Sequence, residues 1–326
     1  MEQHTSPLKG KVILITGATS GIGEAAARRL YSLGADVILH GRKPTRTMAA
    51  LERIRQAVPH DTGGRMDILV ADFAEMTQVY EMAEAFKQRY QRLDVLINNA
   101  GAFFAQRQVS PEGLEMTFAV NHLAHHLLTR QLFDIIKASA PSRVITVSSE
   151  EHHNAKLDFN DFNLEKNYQG TIAFANSKLC NVLFAYELAR KLRRTGNLAM
   201  TSNVLHPGIV ATRFGQNNGW LVRTARNIRQ HNPITRPLMK TPDQGAETIV
   251  YLASDPDVAA ISGKYWVDKV AQPTSVPSYD HDVAAQLWGL SELLLQRLVP
   301  ALQPQETLSA SIETAPEKPE PEQPPS

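Results

Sequence analysis

Short apolar, β-branched runs alternate with helical patterns from Lys11 to about Asp268, which predicts a doubly wound parallel sheet of about seven strands with helices on both faces. Two further observations support that fold class. The first five runs are almost continuously apolar, as strands covered on both faces must be. A glycine-rich turn also joins the first run to the first helix, where such sheets bind nucleotides.

The strands are expected at 12–16, 36–40, 66–70, 95–98, 143–148, 201–205 and 264–267. The first helix, 24–33, buries Ala25, Ala26, Ala27, Leu30 and Leu33 and stops at Gly34. One long helix is expected over 113–137 and another over 171–194. Between 213 and 240 the pattern breaks into Gly, Asn, Pro and Arg around Trp220-Leu221-Val222, which reads as a substrate lid inserted near the sheet edge. Helices follow at 242–254 and 282–298, the latter with Val283, Leu287, Leu290, Leu294 and Leu298 on one side. Residues 1–300 thus read as a single domain. The segment 301–326 is rich in Pro and Glu, too poor in apolar residues to fold, and is expected to be disordered.

Composition excludes several function classes. Apolar residues make up 43% and charged residues 21% of 326, an ordinary globular balance. A net charge of +1 gives no electrostatic footprint for nucleic acid. The single cysteine, Cys180, has no internal disulfide partner, which suits a reducing compartment. There is no basic start followed by an apolar run and no stretch near the roughly 20 apolar residues a membrane span needs, so a cytoplasmic protein is expected. No metal site is expected.

The turn after the first strand reads Thr16-Gly17-Ala18-Thr19-Ser20-Gly21-Ile22-Gly23. Gly17 permits the tight turn, Gly21 lets backbone approach a pyrophosphate, and Gly23 lets helix and strand pack closely. The helix N-terminus then offers N–H groups to phosphates. A bare glycine triplet would also read as an ordinary glycine-rich turn, but the strand before and the helix after it favour a Rossmann-type dinucleotide site. At the end of the second strand, His40-Gly41-Arg42-Lys43 contains no acid to bind a ribose 2′-OH. Arg42, with Lys43 beside it, can instead form paired, charge-assisted bonds to a 2′-phosphate, so NADP(H) is the expected cofactor, the alternative being a solvated basic loop. Asp72, followed by Phe73 after the third strand, stands where an adenine amino group would find an acceptor, although Asp also commonly starts helices.

Together with Asn98-Asn99-Ala100-Gly101 after the fourth strand, these motifs resemble the short-chain dehydrogenase/reductase family from about Lys9 to Leu298. Within it the chain is similar to the retinol dehydrogenase-like branch, through Asn121-His122-Leu123-Ala124-His125, Ser148-Ser149-Glu150-Glu151-His152-His153, His206-Pro207-Gly208 and Ser262-Gly263-Lys264-Tyr265. The resemblance implies a catalytic tetrad of Asn, Ser, Tyr and Lys. Asn121 matches the residue that holds a water linking the lysine to solvent, and Ser149 the one that hydrogen-bonds the substrate oxygen. Lys178 matches the residue that binds the nicotinamide ribose and lowers a neighbouring phenol's pKa. It also implies that Asn99, Ala100, Gly101, Pro207, Gly208, Val210 and Thr212 lie along the cofactor. Homo-oligomers are common in the family, with the 171–194 helix a plausible interface.

The departure is Phe174. It lies one helical turn before Lys178, on the same face, where the family has its tyrosine. A phenyl ring has no exchangeable proton. Three readings follow: an NADP(H)-dependent oxidoreductase that has lost its proton donor, an NADP(H)-binding pseudoenzyme acting as a sensor or partner, or an enzyme using another acid. Phe214, Trp220, Leu221 and Met239 in the insertion suggest a hydrophobic alcohol or carbonyl substrate. Tyr168, six residues before Phe174, has the wrong helical phase to replace it. His152 and His153 read as a solvated loop and His206 as packing.

Overall fold

The computed structural model describes residues 7–58, 62–210 and 239–302. Eight strands form one sheet in the order β3-β2-β1-β4-β5-β6-β7-β8. They are β1 (Val12–Ile15), β2 (Asp36–Gly41), β3 (Met66–Val70), β4 (Val95–Asn98), β5 (Ser142–Val147), β6 (Met200–Leu205), β7 (Tyr265–Val267) and β8 (Val270–Gln272). The first seven run parallel, and β8 turns back antiparallel on β7. The order reverses between β1 and β4, so a crevice opens at the carboxyl ends of those strands. The eighth strand is the one that sequence periodicity does not predict. Its three residues are exposed, so burial leaves no alternation to read.

Helices cover both faces. On one lie α1 (Gly21–Ser32), α2 (Pro44–Ala57) and α8 (Pro242–Ser254), packed on Ile13, Ile15, Val37, Leu39 and Ile97. The other carries α3 (Met76–Arg89), α5 (Ala124–Gln131), α7 (Gly170–Arg194) and α9 (His281–Leu298), packed on Leu14, Ile38, Leu96 and Val144. Successive residues of one strand thus feed two cores, which is why the runs are almost continuously apolar.

The long helix expected over 113–137 is not continuous. It begins as α4 (Met116–Phe118), capped by the Glu115 carboxylate, which accepts from the Thr117 and Phe118 N–H groups. It then widens into a π-helical turn, Ala119–Leu123, becomes α5, and breaks again at Leu132 before α6 (Phe133–Ala138). Apolar spacing cannot reveal one extra residue in a turn, and π turns concentrate at functional sites.

Helix α7 is covered by its own chain. None of residues 173–192 is exposed, and α9 packs along it, so it presents no apolar face to a second copy. The suggestion of an oligomer interface there is therefore corrected. The insertion's base is pinned where Val210 bridges Lys240 in parallel, while 211–238, including Thr212, Phe214, Trp220 and Leu221, lie outside the described residues. Of the expected tail, Leu302 still packs against the core, and 303–326 lie outside the described residues. Among the described residues no helix is long and apolar enough to cross a membrane.

Candidate functional site

The turn between β1 and α1 is built by backbone constraints. Gly17 has φ +66°, and a Cβ there would lie 2.7 Å from the Ala100 Cα. At Gly23 a Cβ would meet the Asn99 side-chain nitrogen at 2.5 Å and the Gly17 carbonyl at 2.6 Å, so α1 sits directly on the turn. The Thr16 hydroxyl accepts from the Asn99 and Ala100 N–H groups at 2.8 and 2.9 Å, joining the ends of β1 and β4. Ser20, the N-cap of α1, makes no side-chain cap bond, which leaves the first-turn N–H groups facing the crevice.

Buried histidine supports this turn in a way the sequence reading did not find. His40 Nδ1 accepts from the Gly17 N–H at 3.3 Å, while Nε2 donates to the Ala71 carbonyl at 3.1 Å. Burial lowers its pKa to about 4, so the ring is neutral and divided between one donor and one acceptor.

A cavity of about 1170 Å³ runs over the turn and the ends of β2 and β3. Its lining includes Gly17, Thr19, Ser20, Gly21, Ile22, Gly23, Arg42, Lys43, Asp72, Phe73, Asn99, Ala100 and Gly101, the residues read from sequence. Arg46 and Arg53 join them, one turn and three turns along α2, and were missed because they sit among ordinary surface charges. Arg42 faces Asp72 at 3.8 Å, and Asp72 Oδ1 accepts from the Ala74 N–H. Such an exposed pair is worth only about 0–1 kcal/mol, so either member can be recruited by a ligand. Phe73 is buried, stacked on His40 with ring centroids 4.2 Å apart, and serves the wall by packing.

The tetrad-matched residues lie beyond Gly101, outside the lining of that cavity. Asn121 is on the π turn. Its Oδ1 accepts from the Ala102 N–H at 2.7 Å and its Nδ2 donates to the Ala102 carbonyl and the Ser177 hydroxyl at 3.0 Å. Lys178 is buried on α7 and donates to the Val147 carbonyl at 3.2 Å, at the end of β5. Burial lowers its pKa to about 8. Two residues further on, Ser149 caps a short 3₁₀ turn, Glu150–Asn154, its hydroxyl accepting from the Glu151 N–H. A Cβ on Gly101 would stand 3.5 Å from Lys178 Nζ and 3.6 Å from Asn121 Oδ1, so those two groups flank one glycine.

Phe174 is half-buried beside them. Lys178 Nζ stands 5.5 Å from its ring centroid, within cation–π range, and Phe103 meets it edge-on at 6.1 Å. The ring occupies the position one turn before the lysine and offers a π face where a phenol would offer a proton.

Neighbouring residues separate clearly. The Tyr168 hydroxyl donates to the Phe104 carbonyl at 2.8 Å, and burial pushes its pKa up to about 12, so it braces a loop. His152 is not solvated, correcting the loop reading. It is 1% exposed, its Nδ1 donates to the Ser149 carbonyl at 2.8 Å, and its Nε2 accepts from the Ser275 N–H at 3.3 Å. His153 stays near the surface. His206 does more than pack: Nδ1 accepts from the Gly208 N–H and Nε2 reaches the Glu150 carboxylate, both at 3.0 Å. That shapes the turn holding Pro207, Gly208 and Val210. The Val210 side chain is in turn close to the Cβ position of Gly245, as is Ile22 of the cofactor turn. Cys180 is buried, and burial pushes its thiol pKa far up.

Comparison with known proteins agrees with this geometry. Residues 11–219 match the family described as short chain dehydrogenase. Retinol dehydrogenase 14 of Mus musculus is 40% identical over 295 residues, covering 88% of this chain and 86% of the relative. A crystal structure of an uncharacterised protein from Mycobacterium paratuberculosis superposes with a TM-score of 0.68 at 28% identity, covering 88% of this chain and 94% of that one. A Beutenbergia cavernae protein, described as an NAD(P)-dependent gluconate 5-dehydrogenase with bound NADP, gives 0.61 at 26% identity over 80% of this chain and 96% of its own.

Proposed function

The chain belongs to the short-chain dehydrogenase/reductase family, in its retinol dehydrogenase-like branch, and on that premise we propose that it is an NADP(H)-dependent oxidoreductase for a hydrophobic alcohol or carbonyl compound, with turnover held down by Phe174. The observation that carries the proposal is the pairing of Lys178 with a phenyl ring 5.5 Å from its ammonium, beside an otherwise complete set of Asn121, Ser149 and Lys178.

The crevice fits a dinucleotide. The clash that any Cβ at Gly17 would cause marks a turn shaped for close backbone approach, and the uncapped start of α1 supplies N–H donors for the pyrophosphate. Arg42 and Lys43 hold the 2′-phosphate, Asp72 the adenine, and Asn99 to Gly101 the middle of the cofactor. Lys178 would bind the nicotinamide ribose, and Pro207, Gly208 and Val210 would line the nicotinamide end. When bound, the cofactor supplies the hydride.

This chain's own residues manage orientation and protons. Ser149 donates its hydroxyl proton to the substrate oxygen, and Asn121 holds the water that links Lys178 to solvent. At Phe174 no group passes a proton to that oxygen. Loss of positioned acid–base catalysis typically costs about 10²–10⁴ in rate. The same residue favours a second reading, an NADP(H)-binding pseudoenzyme that senses the cofactor. Titration with NADPH and NADH tests the cofactor assignment: a several-fold preference for NADPH supports it, and equal affinities sink it. The name of the mouse relative supports an apolar alcohol of the retinol kind as the first substrate to try.

A further inference from the structure

His125 belongs to the stretch Asn121-His122-Leu123-Ala124-His125, yet no step above uses it. It is 1% exposed and stands between the cofactor turn and the π turn that carries Asn121. Nδ1 lies 3.0 Å from the Asn121 carbonyl and Nε2 lies 3.0 Å from the Thr16 hydroxyl.

These contacts have one consistent assignment of protons. A carbonyl only accepts, so Nδ1 carries the ring proton and donates to Asn121. In a neutral ring Nε2 is then an acceptor, and the Thr16 hydroxyl donates to it. Burial keeps the ring neutral, lowering its pKa to about 3. Thr16 also accepts from the Asn99 and Ala100 N–H groups, and its single proton is in reach of the Ile97 carbonyl at 3.3 Å and of His125 Nε2, the nearer acceptor, at 3.0 Å. The outcome is an unbroken chain from the Asn99-Ala100 turn, through Thr16 and one imidazole, to the backbone of Asn121. The ring also meets Phe73 edge-on at 5.4 Å, and Phe73 stacks on His40, which holds the Gly17 N–H. Two arms of the cofactor crevice therefore converge on the same side chain.

We propose that His125 is a positioning residue that couples the occupied cofactor turn to the π turn, fixing the Asn121 carbonyl when NADP(H) binds. The inference rests on the reading of the crevice as an NADP(H) site. It requires no proton transfer by His125. The coupling is mechanical: a rigid neutral ring with one donor and one acceptor transmits the position of Thr16 to Asn121.

The test is amide hydrogen exchange on the full chain, with and without saturating NADPH. In the unaltered chain NADPH should slow exchange over Ala119–Leu123 by about fivefold or more. His125→Phe keeps ring volume and loses both bonds. It should bind NADPH within about threefold of the unaltered chain but lose the protection at the π turn. His125→Asn, which retains a donor near Nδ1, should restore part of it. Thr16→Val cuts the same link from the other end and also frees the Asn99 and Ala100 N–H groups, so its loss of protection supports the coupling when it binds NADPH within about threefold of the unaltered chain. A merely structural role would lower the melting temperature and leave the NADPH-induced protection in place. Protection that survives in His125→Phe or Thr16→Val overturns the proposal, as does NADPH binding without protection in the unaltered chain. Failure of NADPH to bind at all would instead overturn the cofactor assignment, and this inference with it.

Discussion

The two halves of the sheet are held by different means. Around β1–β4 the crevice is set first by glycine backbone, Gly17 at positive φ and Gly23 against Asn99, with the side chains of Thr16 and His40 bracing it. Around β5–β8 the site is shaped by side chains from remote segments. His152, bonded to the Ser149 carbonyl, accepts from the Ser275 N–H across 123 residues, and Lys178 reaches back to Val147 across 31. The nucleotide half would tolerate few substitutions at its glycines. The other half keeps Asn121 and Lys178 bonded to their frame beside Phe174, whose ring packs edge-on against Phe103.

The largest expected effect tests whether the second half is intact apart from one oxygen atom. Phe174→Tyr should raise turnover on aldehydes, ketones or alcohols by about 10²-fold or more. The Lys178 charge favours ionisation of the new phenol, so adding Lys178→Ala should remove the gain, and adding Ser149→Ala should remove it too. NADPH affinity should hardly change in Phe174→Tyr, since the phosphates are bound in the other half. No gain on any substrate, with cofactor bound normally, would make the pseudoenzyme the better account.

The difference between the halves also explains what the sequence makes legible. A glycine needed for φ +66° or for close approach leaves a mark at a fixed offset from a strand, so Gly17, Gly23, Asn99 and Gly101 can be found by reading. Lys178 and Phe174 are legible because helical spacing puts them on one face. His40, His125, His152 and His206 are not. A histidine's role depends on which carbonyl or N–H lies opposite each nitrogen, and here those partners come from other elements. The π turn was hidden for the same reason: one extra residue shifts the helix without altering its apolar pattern. Helix α7 was suggested as an interface by the family resemblance, which gave no sign that α9 already covers it.

A smaller effect tests the first half. Arg42→Ala should cost about tenfold or less in NADPH affinity and leave NADH binding nearly unchanged, so the preference shrinks toward unity in a fluorescence titration. Because Arg42 gives up only an exposed pair with Asp72, at 3.8 Å, the melting temperature of the free protein should stay within a degree or so. A large fall in stability would mean that the cavity rim, like the β5–β8 half, depends on side-chain pairs.

The smallest effect concerns the stability cost of holding Lys178 ready for a ligand. Burial lowers its pKa from 10.5 to about 8, so holding the charge there costs stability. Below pH 8 the lysine is protonated in both folded and unfolded chains, and the folded one bears the penalty in full. Between about pH 8 and 10.5 the unfolded chain binds more protons, so the stability of the ligand-free protein gains from this group as pH rises. Lys178→Met keeps most of the volume and removes the charge. The Val147 carbonyl it releases still accepts from Asn181 at 3.2 Å, so no buried acceptor is orphaned. At pH 7 the variant should melt a few degrees higher than the unaltered chain. The advantage should fade between pH 8 and 10.5, while NADPH affinity drops at every pH. A variant that melts lower at pH 7, or whose advantage is independent of pH, would show that the lysine is stabilised where it stands. The β5–β8 half would then carry no strain to be relieved by ligand.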